Sequence, residues 1–314
     1  MKDLRIVFMG TPDFAVTILD YLLENKYNVV GVITAPDKPA GRGRKLNQSA
    51  VKKYAITKGL PILQPTNLKD KSFNEELKSL KPDLQIVVAF RMLPKIVWQL
   101  PKYGTFNLHA SLLPEYRGAA PIHWAIVNGE IKTGVTTFFI DDKIDTGEII
   151  LQEETEISSN ETVGTLHDRL MYLGAELVAK TVDLIETKKI KTTPQPVLEE
   201  KSAPKLNSEN TKINWSDSLD NIYNKIRGLN PFPAAWTFIE SANEKVKAQI
   251  YAVEKEKENH NYSLGKILTS KKELKIAVKE GFINVKEIKL SGKRKMDIKS
   301  LLNGFSFSED SKVL

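Results

Sequence analysis

Short apolar runs alternate with helical patterns along the first 190 residues, and this rhythm restricts the chain to a mostly parallel sheet with both faces covered. Leu4 to Met9 is apolar and stops at Gly10-Thr11-Pro12-Asp13, and Phe14 to Leu23 follows as a helix. Val29 to Thr34 is a second strand, and Ser49 to Gly59 a second helix. Leu84 to Phe90 is an apolar run of the kind found inside parallel sheets. Thr105–Ala110 and Gly134–Ile140 are further strands. Asn160-Glu161-Thr162 opens a helix reaching about Thr187, with Leu166, Leu170, Leu173, Leu177 and Leu184 as its apolar stripe. The fold expected is α/β, a doubly wound, mostly parallel Rossmann-like sheet.

From Lys188 to Asn210 the pattern dissolves into Lys, Thr, Pro, Glu and Ser, which reads as an interdomain linker over 189–209. A first domain over 1–188 and a second domain over 210–314 follow from it. The second domain opens with a helix carrying Leu219, Ile222, Tyr223 and Ile226, with Gly228 placed to end it and Asn230-Pro231-Phe232-Pro233 unable to continue it. The short alternating segments Val246–Val253, Gly265–Leu268, Leu274–Val278 and Phe282–Lys289 suggest a small OB-like β-barrel.

The two halves differ in charge. Residues 191–314 hold 22 Lys and Arg against 16 Asp and Glu, whereas residues 1–190 hold 24 against 23. A basic second half suits a polyanionic partner, most simply nucleic acid, although a lysine-rich solvated surface gives the same count. The chain has no cysteine, hence no disulfide, thiolate nucleophile or Cys-based metal site. No apolar run approaches the roughly 18–20 residues that cross a bilayer, and the start enters a strand at once, features that a cytoplasmic protein without a membrane partner fits.

Phe106-Asn107-Leu108-His109-Ala110-Ser111-Leu112-Leu113-Pro114 carries the chemistry. In an extended chain residues i and i+2 share a face, so Asn107 and His109 point one way and Phe106 and Leu108 the other. Burying an amide and an imidazole without partners costs about 1–3 kcal/mol each. Pro114 halts the strand, and open α/β sheets bind ligands at such carboxyl ends. A lone histidine here would more often be a packed core residue; its pairing with Asn107 favours catalysis. His109 with a nearby carboxylate is a tuned acid or base, and Asn107 offers an N–H to a developing oxyanion. Asp141, Asp142 and Asp145 all follow the strand Gly134–Ile140, and one or two of them should simply hold the turn. Their spacing fits no EF-hand, and no metal is expected. An amide, an imidazole and a carboxylate without a Ser or Cys nucleophile suit direct acyl transfer to an amine. His123 and His167 should pack or face solvent, and His260 should sit in a solvated turn.

Pro36-Asp37-Lys38-Pro39-Ala40-Gly41-Arg42-Gly43-Arg44-Lys45 is not a P-loop, and Gly10-Thr11-Pro12-Asp13-Phe14 lacks the dinucleotide fingerprint, which weighs against a nicotinamide-dependent oxidoreductase. A Gly/Arg loop of this kind either contacts phosphates or is an ordinary basic surface loop.

With these residues in view the chain resembles the methionyl-tRNA formyltransferase family. The likeness runs from Phe8-Met-Gly-Thr-Pro-Asp-Phe14 through the basic loop, Asn107-Leu-His109, Ser111-Leu-Leu-Pro114, Tyr116-Arg-Gly-Ala-Ala-Pro121 and Asp145-Thr-Gly147. It continues in Asn214-Trp215, Ile226-Arg227, Asn230-Pro-Phe-Pro233 and Leu290-Ser-Gly-Lys293. Asn-x-His with Ser-Leu-Leu-Pro and a later Asp-Thr-Gly marks the wider 10-formyltetrahydrofolate transferases; the basic loop and second domain narrow it to the tRNA-directed members. The resemblance implies 10-formyltetrahydrofolate as formyl donor, with Ser111, Leu112, Leu113 and Pro114 lining its site. It implies Asn107, His109 and Asp145 as the catalytic set and initiator methionyl-tRNA as acceptor. Arg42, Arg44 and Lys45 would contact the tRNA, the C-terminal barrel would cradle it, and a monomer is expected. Family members usually have an aromatic-glycine step where this chain has Phe90-Arg91, so Arg91 either alters the pterin pocket or points to solvent. The rival readings are a sibling enzyme formylating a small amine or hydrolysing formyl-folate, and, more remotely, a non-enzymatic RNA-binding protein.

Overall fold

The computed structural model describes residues 3–40, 45–196 and 201–314. They group into two units. One comprises Met1–Gly118, Gly134–Thr155 and His167–Ser202; the other comprises Ala119–Thr133, Glu156–Leu166 and Ala203–Leu314.

A seven-stranded sheet carries the first unit: β1 Ile6–Gly10, β2 Val29–Ile33, β3 Ile62–Leu63, β4 Leu84–Val88, β5 Thr105–His109, β6 Lys132–Phe139 and β7 Ile149–Glu156. Their order is β7-β6-β5-β4-β1-β2-β3. The first five are parallel, and β6 runs antiparallel to β5. The chain steps outward from β1 to β3, then crosses back to lay β4 and β5 on the other side of β1. That reversal makes a switch point beside the strand ends. The doubly wound, mostly parallel sheet expected from the sequence is the one observed.

Every residue of β1 and β4 is buried, because helices cover both faces. These include α1 (Asp13–Glu24), α2 (Ala50–Thr57), α3 (Lys71–Ser79) and the single turn α4 (Lys95–Trp98). Ser49 caps α2 by accepting from the Lys52 N–H at 3.0 Å. Val7, Met9, Ile33 and Val87 pack with Phe73, Leu77, Leu93 and Val97 in one core layer. Helix α5 (Pro121–Val127) lies in the second unit, and α6 (Val163–Glu186) follows. A side chain at Gly174 of α6 would come within 2.7 Å of Leu108, so Leu108 faces that helix. By the strand's alternation Asn107 and His109 face the other way.

The stripe expected on α6 needs correction. Leu166, Leu170 and Leu177 are buried, but Leu173 and Leu184 are only half-buried. Val178, Thr181, Val182 and Ile185 complete the buried face, with the Thr181 and Thr137 hydroxyls bonded at 2.8 Å. Reading leucines alone missed the β-branched residues that share this face.

The second unit is a nearly closed antiparallel barrel. Its strands are β8 Ala235–Ser241, β9 Glu244–Lys257, β10 Ile267–Thr269, β11 Leu274–Val278, β12 Gly281–Leu290, β13 Met296–Asp297 and β14 Lys312–Val313. The order is β10-β11-β12-β9-β8-β14, with β13 on β12. The Ile267 N–H donates to Ser311 O at 2.9 Å and the Val313 N–H to Gly265 O at 2.8 Å, which brings the two edges together. Helix α7 (Leu219–Arg227) sets Leu219, Ile222 and Ile226 into the core with Ile250, Ile276 and Val285, and α8 (Ile298–Leu302) adds Ile298 and Leu301. Gly228 does follow α7, but with a right-handed φ of −72°. It is small for another reason: a Cβ there would meet Val127 Cγ2 at 2.8 Å and Asn224 O at 2.9 Å. His260 is not a solvated turn residue. Its Nε2 lies 2.9 Å from both Val278 O and Gly281 O, and its ring sits 4.5 Å from that of Phe282.

Candidate active site

Strand β5 delivers Asn107 and His109 to its carboxyl end, paired in register with Val87 on β4 and with Phe138 and Thr136 on β6. Asn107 is half-buried, and its side-chain amide has no hydrogen-bond partner among the described residues. His109 is buried. Its Nε2 donates to the carbonyl oxygen of Tyr116 at 2.9 Å, because a carbonyl can only accept. That leaves Nδ1, which lies 3.9 Å from Oδ2 of Asp145.

The three aspartates now separate. Asp141 accepts from the Lys143 N–H at 2.9 Å and from the Thr146 hydroxyl at 2.8 Å, and so holds the turn. Asp142 lies 3.8 Å from Lys95 at the surface. Asp145 alone reaches His109, and its Oδ2 accepts the Gly118 N–H at 3.0 Å. Its backbone is left-handed, with φ 55°, which an Asp tolerates better than most side chains. Gly147 must lack a side chain, since a Cβ would lie 1.6 Å from Phe139 O.

The loop 111–118 supplies both partners of the pair. Ser111 is fully buried, its hydroxyl donating to Glu115 O at 2.6 Å. Thr136 donates to Ser111 O at 2.7 Å and accepts the Leu113 N–H at 3.2 Å, and Gln152 donates to Leu113 O at 2.9 Å. Leu113 and Pro114 are buried, while Leu112 is half-buried. Among the described residues no group of three or more His, Cys, Asp or Glu side chains has metal-binding geometry.

Comparison with known proteins decides the family. The formyl transferase family model matches residues 4–182, and the formyl transferase C-terminal domain model matches residues 205–306. A methionyl-tRNA formyltransferase of Flavobacterium johnsoniae is 59% identical over 314 residues, with 100% of each chain covered. That of Parabacteroides distasonis is 53% identical, with 97% of this chain and 96% of its own covered.

The chain belongs to the methionyl-tRNA formyltransferase family.

Solved structures share the fold. The N-formyltransferase of Helicobacter canadensis, in complex with folinic acid and dTDP-3-aminofucose, superposes with a TM-score of 0.67 at 23% identity, covering 93% of this chain and 100% of its own. HypX of Aquifex aeolicus, in complex with tetrahydrofolic acid, gives 0.66 at 18% identity, covering 96% of this chain and 47% of its own.

Two other expectations of this formyltransferase meet the structure differently. Arg42 and Arg44 lie outside the described residues, as does the Lys45 side chain. What is described is the base of their loop, a hairpin pairing Lys38–Ala40 with Lys45–Asn47. Asp37 just before it bonds Lys52 at 2.6 Å and Gln64 at 2.8 Å, contacts that hold its carboxyl below the usual range. Arg91 is exposed, and its guanidinium donates to Pro65 O and Thr66 O, fastening the loops after β3 and β4.

The sequence reading missed Gln195. It lies in the stretch expected as a linker, yet its amide bonds the carbonyls of Asp145 and Gly147. A patternless segment carries no periodic signal; only a polar side chain between two prolines marked it.

Proposed function

We propose that this protein transfers the formyl group of 10-formyltetrahydrofolate to the α-amino group of initiator methionyl-tRNA, with Asn107, His109 and Asp145 as its catalytic set. The observation that carries the reading is the convergence at the end of β5: an amide without a partner among the described residues, and an imidazole whose open nitrogen lies 3.9 Å from a carboxylate. The folate enters as co-substrate, and the chemistry proposed needs no metal.

The amine nitrogen attacks the formyl carbon, a C–N bond forms, and the carbonyl electron pair moves to oxygen. The oxyanion accepts from the Asn107 amide and from His109 Nδ1 when that nitrogen carries a proton, while Asp145 balances the ring's charge. The attacking nitrogen gives up its proton through Asp145 or a water it holds. The bond from carbon to the folate nitrogen then breaks, and that nitrogen takes a proton as tetrahydrofolate leaves. Donors fixed in place before the reaction are what such a step requires.

Ser111–Pro114, tied by Thr136 and Gln152, supports the wall on which the folate is proposed to rest. The basic loop at 42–45 and the C-terminal barrel are assigned to the tRNA, with 1–188, 189–209 and 210–314 as catalytic, linking and tRNA-binding segments of a cytoplasmic monomer. The test is formyl transfer by purified protein from labelled 10-formyltetrahydrofolate to charged initiator tRNA, with charged elongator tRNA and small amines as comparisons. Label on initiator methionyl-tRNA is the expected result. Label only on small amines, or formate released without acceptor, overturns the reading.

A further inference from the structure

We infer that Gln195 is a positioning residue for Asp145, an inference resting on the catalytic reading of Asn107, His109 and Asp145. Its Nε2 donates to Asp145 O at 2.9 Å and to Gly147 O at 2.7 Å, so both amide hydrogens are committed to the loop that carries the carboxylate. Its Oε1 accepts from Arg117 Nε at 3.1 Å and Nη2 at 2.5 Å. Arg117 stands between Tyr116, whose carbonyl holds His109, and Gly118, whose N–H holds Asp145. One side chain therefore ties together the two loops that set the His109–Asp145 distance.

Asp145 needs such a tie. Its left-handed φ of 55°, although an Asp tolerates it better than most side chains, persists only where the surroundings hold it. The segment bearing Gln195 is itself anchored: the Thr193 N–H donates to Ile149 O at 2.9 Å and the Ile149 N–H to Thr193 O at 2.8 Å. It is thus held to the first residue of β7 and can serve as a fixed point. Without the amide, the Asp145 and Gly147 carbonyls lose their donor, and the carboxylate is free to drift from the ring. A misplacement of about 1 Å can cost on the order of 100-fold in rate.

The experiment uses the full-length protein with formyl-folate and charged initiator tRNA. Gln195→Ala removes the whole tie. Gln195→Glu keeps the length and the acceptor for Arg117 but replaces both donors, and it decides the matter if the alanine variant gives no cooperative melt. The expected result is a fall in kcat of about 10- to 100-fold, with KM for both substrates within about threefold of wild type. In an Asp145→Asn background, Gln195→Glu should cost less than about threefold more, because it acts through a carboxylate already gone. Wild-type kcat in Gln195→Glu, a loss confined to KM, or losses that multiply in full in the double variant would each overturn the inference. His109→Ala in the same assay separates the two failures: its loss of turnover sustains the catalytic reading whatever Gln195 does, and its full activity refutes that reading.

Discussion

Tyr116 accepts the Nε2–H of His109 at 2.9 Å, and this bond decides which ring nitrogen is left for chemistry. Tyr116 is itself held at a left-handed φ of 61°, with its N–H donating to Lys201 O at 2.6 Å. The carbonyl is therefore aimed by backbone on both sides, and the ring orientation follows from the loop.

Replacing His109 by Ala removes the Nδ1 donor while leaving Asn107 in place on β5. Turnover should fall by about 100- to 1,000-fold, the usual cost of one oxyanion donor, while folate binding measured by fluorescence or calorimetry largely survives. Wild-type-like turnover would remove His109 from the mechanism.

Asp145→Asn keeps an oxygen able to accept the Gly118 N–H, now at 3.0 Å, so the loop should stay in place. Only the charge facing His109 changes. A loss of about 100-fold or more in kcat with an unchanged melting temperature is expected for a group that balances charge or moves a proton. A lowered melting temperature with kcat intact would make Asp145 a structural residue instead.

How far the sequence could be read depends on how far each feature's cause is local. Asn107 and His109 are legible because two residues on one strand share a face whatever surrounds them. The parallel sheet is legible because burial on both faces makes β1 and β4 apolar throughout. Asp145 could be chosen over Asp141 and Asp142 only by resemblance; the distances that separate them arise from loop geometry. β3 and β13 are two residues each, too short to show any period, and α3 carries only Phe73 and Leu77 as buried apolar residues. Gln195 and Arg91 act on backbone carbonyls distant in sequence, and such contacts leave no local pattern.

Gly147→Ala tests the loop from its other end. A Cβ 1.6 Å from Phe139 O cannot be accommodated by a side-chain rotation, so the backbone must move. A destabilisation of at least about 1–3 kcal/mol is expected, together with loss of turnover as Asp145 is carried away from His109. Chemical denaturation and turnover measured on the same preparation check both; unchanged stability would contradict the close approach of this loop to β6.

Arg42→Ala should raise KM for the tRNA and flatten its dependence on salt, because a lost phosphate contact releases fewer counterions, while KM for the folate stays within about twofold. Equal losses for both substrates would show that the loop serves the catalytic site instead of the acceptor.

Tyr27 makes the pH dependence of stability specific. Its buried hydroxyl donates to Asp183 Oδ1 at 2.8 Å and lies 3.1 Å from Ala179 O on α6, joining the segment before β2 to that helix. Burial, then the adjacent Asp183 carboxylate, pushes its pKa well above the ordinary phenol value. Below a pH of about 10 the folded and unfolded states both keep this proton, and Tyr27 adds no pH dependence. Above it the unfolded chain ionises first, so the folded state binds more protons and stability falls as pH rises. Tyr27→Phe should cost about 1 kcal/mol at neutral pH through the lost hydrogen bond, and the gap from wild type should narrow between pH 9 and pH 11. Unfolding free energies from denaturant titration at the two pH values measure the gap; a constant difference would mean that this phenol ionises alike in both states.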